Sequence, residues 1–408
     1  MRPLPDPAQH ARLERATADL EAPFVAVDLE AFDANAADLA HRAGGTPIRV
    51  ASKSVRVRSL LERVLQREGG AYRGVLALTL PEALHLVRER TTGDVVVAYP
   101  TVDRTALRAL AAGADRQQSA RIAVMVDDVA HLDLIVAAGA RPGAPVRVVL
   151  ELDASLRLAG GRIHLGVRRS PVHSPARLAA LAAEAERRPG IELIGVMAYE
   201  AQVAGVGDAP PGRRVMGRAI SAMQQRSTAE LAGRRAEAIA AVERVTGRPL
   251  ELVNAGGTGS LETSAAEAAV TEVAAGSGLY GSALFDGYSA FTPRPALFLA
   301  LPVVRRPAPG IVTVQGGGWV ASGPGGDDRL PLPWFPAGLS LDAREGAGEA
   351  QTPLRGAPAD GLALGQRAWL RPAKAGEPLE RIDRVHLVAG DAVLATVPTY
   401  RGDRQAFG

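Results

Sequence analysis

Short apolar runs alternate with longer Ala-, Leu- and Arg-rich stretches through the first 285 residues of this 408-residue chain. The run "FVAVDL" comes first, with a helix-like segment to about Arg42 behind it. Eight more strand-like runs follow: "PIRVAS", "GVLALTL", "DVVVAY", "RIAVMVD", "VRVVLELD", "IELIGVMAYE", "LELVNAGG" and "EVAAGSGLYG". Helix-sized stretches such as "ARLAALAAEAERR" lie between nearly all of them. This alternation predicts parallel strands joined by crossover helices. Eight repeats in roughly 240 residues suit a closed (β/α)8 barrel better than an open sheet. An open doubly wound sheet is the alternative, but "NAGGTGS" is a poor dinucleotide fingerprint. Beyond about residue 290 the texture turns to Gly, Pro and short runs such as "GIVTVQGGGWVASG" and "RVHLVAGDAVLATVPTY", which predict an antiparallel β domain. The expected organisation is an N-terminal extension (1–22) against the β domain, a barrel (23–288) and the β domain (289–408). The Pro/Gly-rich segment 324–361 reads as a long ordered loop or an insertion.

Composition narrows the classes. A chain 47% hydrophobic and 22% charged is that of a soluble globular protein. Net charge is only +3, and no Lys/Arg run with interleaved aromatics is present, so no nucleic-acid partner is expected. There is no cysteine, which removes disulfides, a thiol nucleophile and thiolate-bound metal. The start, "MRPLPDPAQHARLERATADLEAPF", lacks the apolar centre of a signal peptide, and no run is long enough for a membrane span. The expectation is a cytoplasmic protein with no membrane partner.

The chemistry begins with a scarcity. Of 47 basic residues, only Lys53 and Lys374 are lysine. A bulk preference for arginine does not explain an exception at the end of an apolar strand. Arginine keeps its proton, whereas a desolvated lysine can lose it and act as a nucleophilic amine. Lys53 falls just after the first of the eight strands, at the end of a barrel where reactive groups lie. The stretch "NAGGTGS" (254–260) ends strand seven, with glycines that admit an anion, hydroxyls at Thr258 and Ser260, and a predicted helix N-terminus behind. "GSGLYG" (276–281) ends strand eight, and barrel phosphate sites often form at strands seven and eight. A Schiff-base lysine facing a phosphate cup points to pyridoxal 5'-phosphate (PLP). A solvated loop position is the bland alternative for each.

These features resemble the alanine-racemase-like class of PLP enzymes. "AYEAQVAG" (198–205) and the C-terminal layout are most similar to D-threonine aldolase and D-serine dehydratase. "HLGVRRSP", "EGAGEAQTPL" and "AKAGEP … TVPTYRG" resemble an actinobacterial branch of amino acid deaminase/aldolase proteins. The resemblance spans almost the whole chain. It implies that Lys53 carries the cofactor, that Gly256, Gly257 and Thr258 with Ser277, Gly278 and Tyr280 hold its phosphate, and that Tyr199 lies near its face and assists proton transfer. It also implies an arginine after strand five on the cofactor ring. Arg157, which follows "ELDASL", is the candidate, but the turn before Gly166 is longer than expected, which leaves Arg168 open beside it and His164 as an occupant of part of that place.

The resemblance implies a divalent metal on a C-terminal His-x-Asp or His-x-Cys pair, yet the matching stretch is "RPAKAGEP" (371–378), with Pro372 and Lys374 at the ligand positions. No metal is therefore expected; Glu349, Glu377 and His386 are the residues from which a different site would be built. Lys374 becomes a candidate catalytic ammonium, its alternative being an ion pair with Glu349 or Glu377. The function these residues imply is a PLP-dependent lyase on a D-amino acid, of aldolase or deaminase/dehydratase type, and the class implies a homodimer. An amino acid racemase is the second enzyme reading, and a PLP-carrier or homeostasis protein is the non-catalytic one.

Overall fold

A computed structural model describes residues 3–113, 116 and 120–407. The chain divides into two compact units, one of Leu39–Lys53, Arg58–Gly276 and Phe407–Gly408, the other of Met1–Asp38, Ser54–Val57 and Ser277–Ala406.

The first unit is the predicted barrel. Its eight parallel strands are β1 (Ile48–Ala51), β2 (Tyr72–Ala77), β3 (Asp94–Val97), β4 (Arg121–Val126), β5 (Val146–Glu151), β6 (Ile191–Ala198), β7 (Leu252–Ala255) and β8 (Glu272–Ala275). The ring closes where β8 pairs with β1, Val273 opposite Ile48 and Ala275 opposite Val50. Side chains alternate across each strand, so the continuous apolar runs serve two cores at once. On β3, Val95 and Val97 face the helices while Val96 faces the barrel interior with Ala123, Met125 and Val149. The helices start where polar caps stand before apolar periodicity: Thr79, Asp103, Asp128 and Ser174 each accept a first-turn N–H. The longest, Arg214–Thr246, ends on Gly247 in the left-handed conformation. At the N-terminal end of the barrel, Arg49 bridges Glu272 (2.6 Å) and Asp94 (2.8 Å).

The second unit is built on the sheet around strand Leu297–Ala308. That strand pairs antiparallel with Phe24–Asp28, Ile311–Gln315 and Arg367–Arg371. "FVAVDL" therefore belongs to this sheet, despite having the texture of a barrel strand. Helix Pro7–Ala16, capped by Asp6, sends Leu13 into a core with Phe24, Phe298 and Trp369. The segment 324–361 is not a mere loop. It supplies strands Leu332–Phe335, Ser340–Leu341 and Gln351–Arg355 to the antiparallel array. Proline there cannot donate to a ladder but still accepts: Asp342 N donates to Pro353 O at 3.2 Å. No helix among the described residues is long and apolar enough to cross a membrane.

Candidate active site

The ends of β1, β3, β5, β6 and β7 bring their polar residues to one mouth of the barrel. Ser52 Oγ donates to Leu76 O (3.1 Å), which ties the turn after β1 to β2 and fixes the residue before Lys53. Lys53 Nζ then donates to Tyr99 Oη at 2.5 Å and stands 5.2 Å from that ring's centroid. Tyr99 lies just beyond β3, where "DVVVAY" ends. The Arg169 guanidinium lies 5.5 Å from the same centroid. Burial works to raise the Tyr99 pKa, but the Lys53 and Arg169 cations outweigh it, and the phenol is held below its ordinary value.

Glu151, the last residue of β5, is only 7% exposed. Burial, reinforced by the carboxylates of Asp127 and Asp153 and opposed by Arg169, raises its pKa to about 7. Tyr199, just past β6, is pushed up to about 12, first by burial and then by Glu200. Both tyrosines pack against the apolar interior of the barrel, beside Val96, Met125 and Met197.

The glycine turn after β7 is fixed from beneath. Gly256 has φ +83°, a conformation that favours glycine. A Cβ on Gly257 would lie 2.9 Å from Ala204 Cβ and 3.0 Å from Tyr199 Cε2, so only glycine lets the Tyr199 ring sit against the turn. The Glu200 carboxylate accepts from Ser260 Oγ (2.7 Å), Ser264 Oγ and, at 3.4 Å, Gly256 N. Gly257 N donates to Ser260 Oγ at 3.1 Å. Arg235, fully buried, neutralises Glu200 at 3.0 Å and Glu267 at 2.5 Å. Arg42 Nη2 donates to Thr258 O at 2.7 Å. The helix expected after "NAGGTGS" is only Leu261–Ala265, so the turn itself, not a helix dipole, is what the site offers an anion.

Other expected residues fall as follows. Arg157 is drawn to Asp153, with Nη2 donating to Oδ2 at 2.5 Å. The unexpectedly long turn around it is a small ribbon, Leu156–Leu158 against Ile163–Leu165, in which Arg157 is opposite His164. His164 Nε2 lies 3.2 Å from Val167 O, and Arg168 is exposed. The arginine brought onto Tyr99 is Arg169, which sequence reasoning passed over. In the other unit, Ser277, Gly278 and Tyr280 form the short 3-10 turn Ser277–Tyr280. Tyr280 is fully buried, and its Oη donates to Val55 O at 2.8 Å. Lys374 Nζ donates to Ser322 O at 2.5 Å, while Ser322 N donates to Glu377 Oε1 at 3.0 Å. Among the described residues no three His, Cys, Asp or Glu side chains gather as metal ligands. Tyr99, Glu151, Arg169 and Glu200 were not singled out beforehand. The one signal for the first two was their place at the C-terminal ends of strands already recognised.

The family model "Alanine racemase, N-terminal domain" matches residues 27–283, well over half of the chain. The chain belongs to this family. A D-threonine aldolase of Arthrobacter sp is 28% identical over 319 residues, covering 77% of this chain and 75% of that protein. The crystal structure of D-threonine aldolase from Filomicrobium marinum aligns with TM-score 0.76 at 24% identity, over 95% of this chain and 97% of that one. D-threo-3-hydroxyaspartate dehydratase from Delftia sp. HT23 aligns with TM-score 0.68 at 21% identity, over 93% and 97%. The family member thus shares its fold with an aldolase and a dehydratase.

Proposed function

We propose that this chain is a PLP-dependent lyase acting at Cα–Cβ of a D-amino acid that carries a β-hydroxyl. Family membership, the aldolase and dehydratase relatives and the content of the barrel mouth support the reading. The observation that carries it is Lys53, one of two lysines, seated after β1 with its Nζ 2.5 Å from Tyr99 Oη.

The residues fit the group. A primary amine stands at the strand end, a guanidinium lies nearby on the Tyr99 ring, and the Gly256–Gly257 turn carries no side chain, Gly256 at φ +83°. Lys53 would hold the cofactor carbonyl carbon; the turn at Gly256, Gly257 and Thr258 would face its phosphate; Arg169 is the guanidinium available to its ring. When bound, PLP supplies an electron sink for the negative charge that develops as a bond at Cα breaks.

The chain's own residues do the rest. Glu200, Ser260 and Arg235 keep the glycine turn in one shape, so that binding does not have to order it. Tyr199, wedged against Gly257, limits the room on its side of the mouth. Lys53 Nζ is the group placed to give or take a proton at the substrate's Cα. Glu151, whose pKa burial raises to about 7, is a second group, a carboxyl, able to exchange a proton with substrate.

Borohydride reduction of the purified protein with PLP, followed by peptide mass spectrometry, tests the cofactor; Lys374 is the internal control. Reduction is expected to fix the cofactor on Lys53 and not on Lys374. A panel of β-hydroxy D-amino acids, with and without a divalent cation, then separates release of an aldehyde from release of ammonia and a 2-oxo acid. Failure to fix PLP on Lys53, or undiminished turnover in Lys53→Ala, would overturn the reading.

A further inference from the structure

We propose that the second unit of this chain has exchanged a divalent-metal centre for the fixed ammonium of Lys374, and that the proposed lyase works without a divalent metal. Metal-free turnover rests on the lyase reading; the exchange itself rests only on the chain's own donors.

The resemblance to D-threonine aldolase and D-serine dehydratase implies a metal on a His-x-Asp or His-x-Cys pair, and the matching stretch is "RPAKAGEP". The residues there do not fit one. A divalent ion needs oxygen, nitrogen or sulfur atoms with a lone pair to give. Pro372 has no such atom in its side chain, and its carbonyl already accepts from Ala283 N at 3.0 Å. Lys374 brings N–H donors and a positive charge, which repels a second cation.

The acids of the same unit are committed elsewhere. Asp286 accepts from Arg371 through both oxygens, at 3.0 and 3.2 Å, and that guanidinium is fully buried, 4.2 Å from the centroid of the Trp334 ring. Glu377 accepts from Ser322 N at 3.0 Å, and Glu349 is exposed. His386 Nδ1 lies 2.8 Å from Thr396 Oγ1, on the neighbouring strand. Glu349, Glu377 and His386 thus build no alternative centre, and among the described residues no three His, Cys, Asp or Glu side chains gather as one.

The ammonium is seated at one point. Half-buried Lys374 donates from Nζ to Ser322 O at 2.5 Å and to Ser322 Oγ at 3.0 Å. Ser322 is held in turn by Glu377, three residues beyond Lys374, so lysine, serine and glutamate close a circuit. The backbone on either side is pinned. Leu284 N donates to Ala373 O at 3.1 Å, and Gly376 N donates to Ser54 O at 2.9 Å. An ammonium is a compact point charge, closer to a metal ion than the planar guanidinium fork is. That difference accounts for a lysine here, in a chain whose only other lysine is Lys53.

The test uses the full chain loaded with PLP, with Mn²⁺ as the probe. Elemental analysis of the purified parent is expected to find no divalent metal at one per chain, and calorimetric titration to find no site tighter than about 1 mM. Pro372→His/Lys374→Asp writes the His-x-Asp pair into the same stretch and is expected to gain one Mn²⁺ site per chain. That site should be at least about tenfold tighter than any in the parent, since loss of even an outer-shell partner costs a metal site about 10- to 100-fold. Lys374→Met, which removes the ammonium and adds no strong ligand, is expected to gain none. Turnover of β-hydroxy D-amino acids by the parent is expected to be unchanged by EDTA and by added Mn²⁺. A stoichiometric metal in the parent, turnover abolished by EDTA and restored by Mn²⁺, or a folded double variant that gains no site would overturn the proposal. The first two outcomes need no variant and decide it even if the double variant does not fold. A parent without lyase turnover removes the lyase reading, while the metal titrations still decide the exchange.

Discussion

Arg235→Met is the substitution whose consequence the structure fixes most tightly. Arg235 is fully buried, and its guanidinium stands between Glu200 at 3.0 Å and Glu267 at 2.5 Å. Methionine fills a similar volume but leaves two enclosed carboxylates facing each other. Removing one partner of a buried ion pair costs about 3–5 kcal/mol, and here two acids lose their counter-ion, so the upper end applies. For a unit of this size, about 5 kcal/mol corresponds to a fall of roughly 10–20 °C in Tm. The loss has a pH signature. Burial already raises the Glu267 pKa in the parent, and loss of Arg235 raises it further. An acid whose folded pKa is raised stabilises the fold while protonated, and that stability goes as pH rises through the folded pKa. The deficit of the variant is therefore smaller near pH 5 than near pH 8. Differential scanning calorimetry at the two pH values reads both effects. A fall of less than about 3 °C near pH 8, or a deficit that does not shrink in acid, would refute the assigned electrostatics. The same variant loosens Glu200 and with it Ser260 and Ser264, so weaker PLP binding should accompany the fall in Tm.

Three further outcomes are expected. Gly257→Ala puts a Cβ 2.9 Å from Ala204 Cβ and 3.0 Å from Tyr199 Cε2, an overpacking of about 1–3 kcal/mol that should weaken PLP binding by up to about 150-fold in an absorbance titration. Gly233→Ala, in open space on a helix, should leave it unchanged. Glu151→Gln removes an acid whose pKa is raised from 4.5 to about 7. The parent loses up to about 3 kcal/mol as pH rises through that window and the variant does not, so urea unfolding should find the variant the more stable near pH 8 and not near pH 4. Glu14 has the opposite sign. Burial works to raise its pKa, but His10, 3.7 Å away, and hydrogen bonds from Trp369 and Arg367 overcome it and hold the pKa at about 2. Its contribution is present above 4.5 and lost as pH falls toward 2; a third of the side chain is exposed, which limits Glu14→Gln to about 1–2 kcal/mol near pH 7. That cost should vanish near pH 2.

The barrel was legible because parallel strands buried on both faces leave unbroken apolar runs such as "DVVVAY" and "RIAVMVD". The same property misled at "FVAVDL". Phe24–Asp28 is fully buried too, and nothing local records that its partner is Leu297–Ala308, some 270 residues away. The segment 324–361 misled in the other direction. Its strands are two to five residues long and carry prolines, so composition outweighed any alternation. At the site, Lys53 was legible through the scarcity of lysine. Arg157 was chosen by its distance from β5, but the ribbon Leu156–Leu165 lengthens that connection and turns Arg157 toward Asp153. Arg169 and Tyr99 are 70 residues apart and meet on one ring only because β3 and β5 close into the same barrel.

The two tyrosines of the mouth bear on the choice between a lyase and a racemase. Both pack on the same barrel interior, yet their surroundings move them apart. Lys53 and Arg169 lower Tyr99, whereas burial and the nearby Glu200 raise Tyr199 to about 12. Groups of one type whose pKa values are driven apart mark different proton roles. Tyr199 stays protonated near neutrality; it can donate a hydrogen bond or a proton but is a poor base. A racemase needs a base on one face of Cα and an acid on the other. Lys53 is a candidate for the first, and the protonated Tyr199 can act only as the acid. A lyase needs only one such group at Cα or Cβ, together with an acid for the bond that breaks. The placement of Glu151, which exchanges its proton at about 7, adds that acid. The proton inventory of the barrel mouth thus supplies, beside Lys53, the acid that the proposed lyase requires.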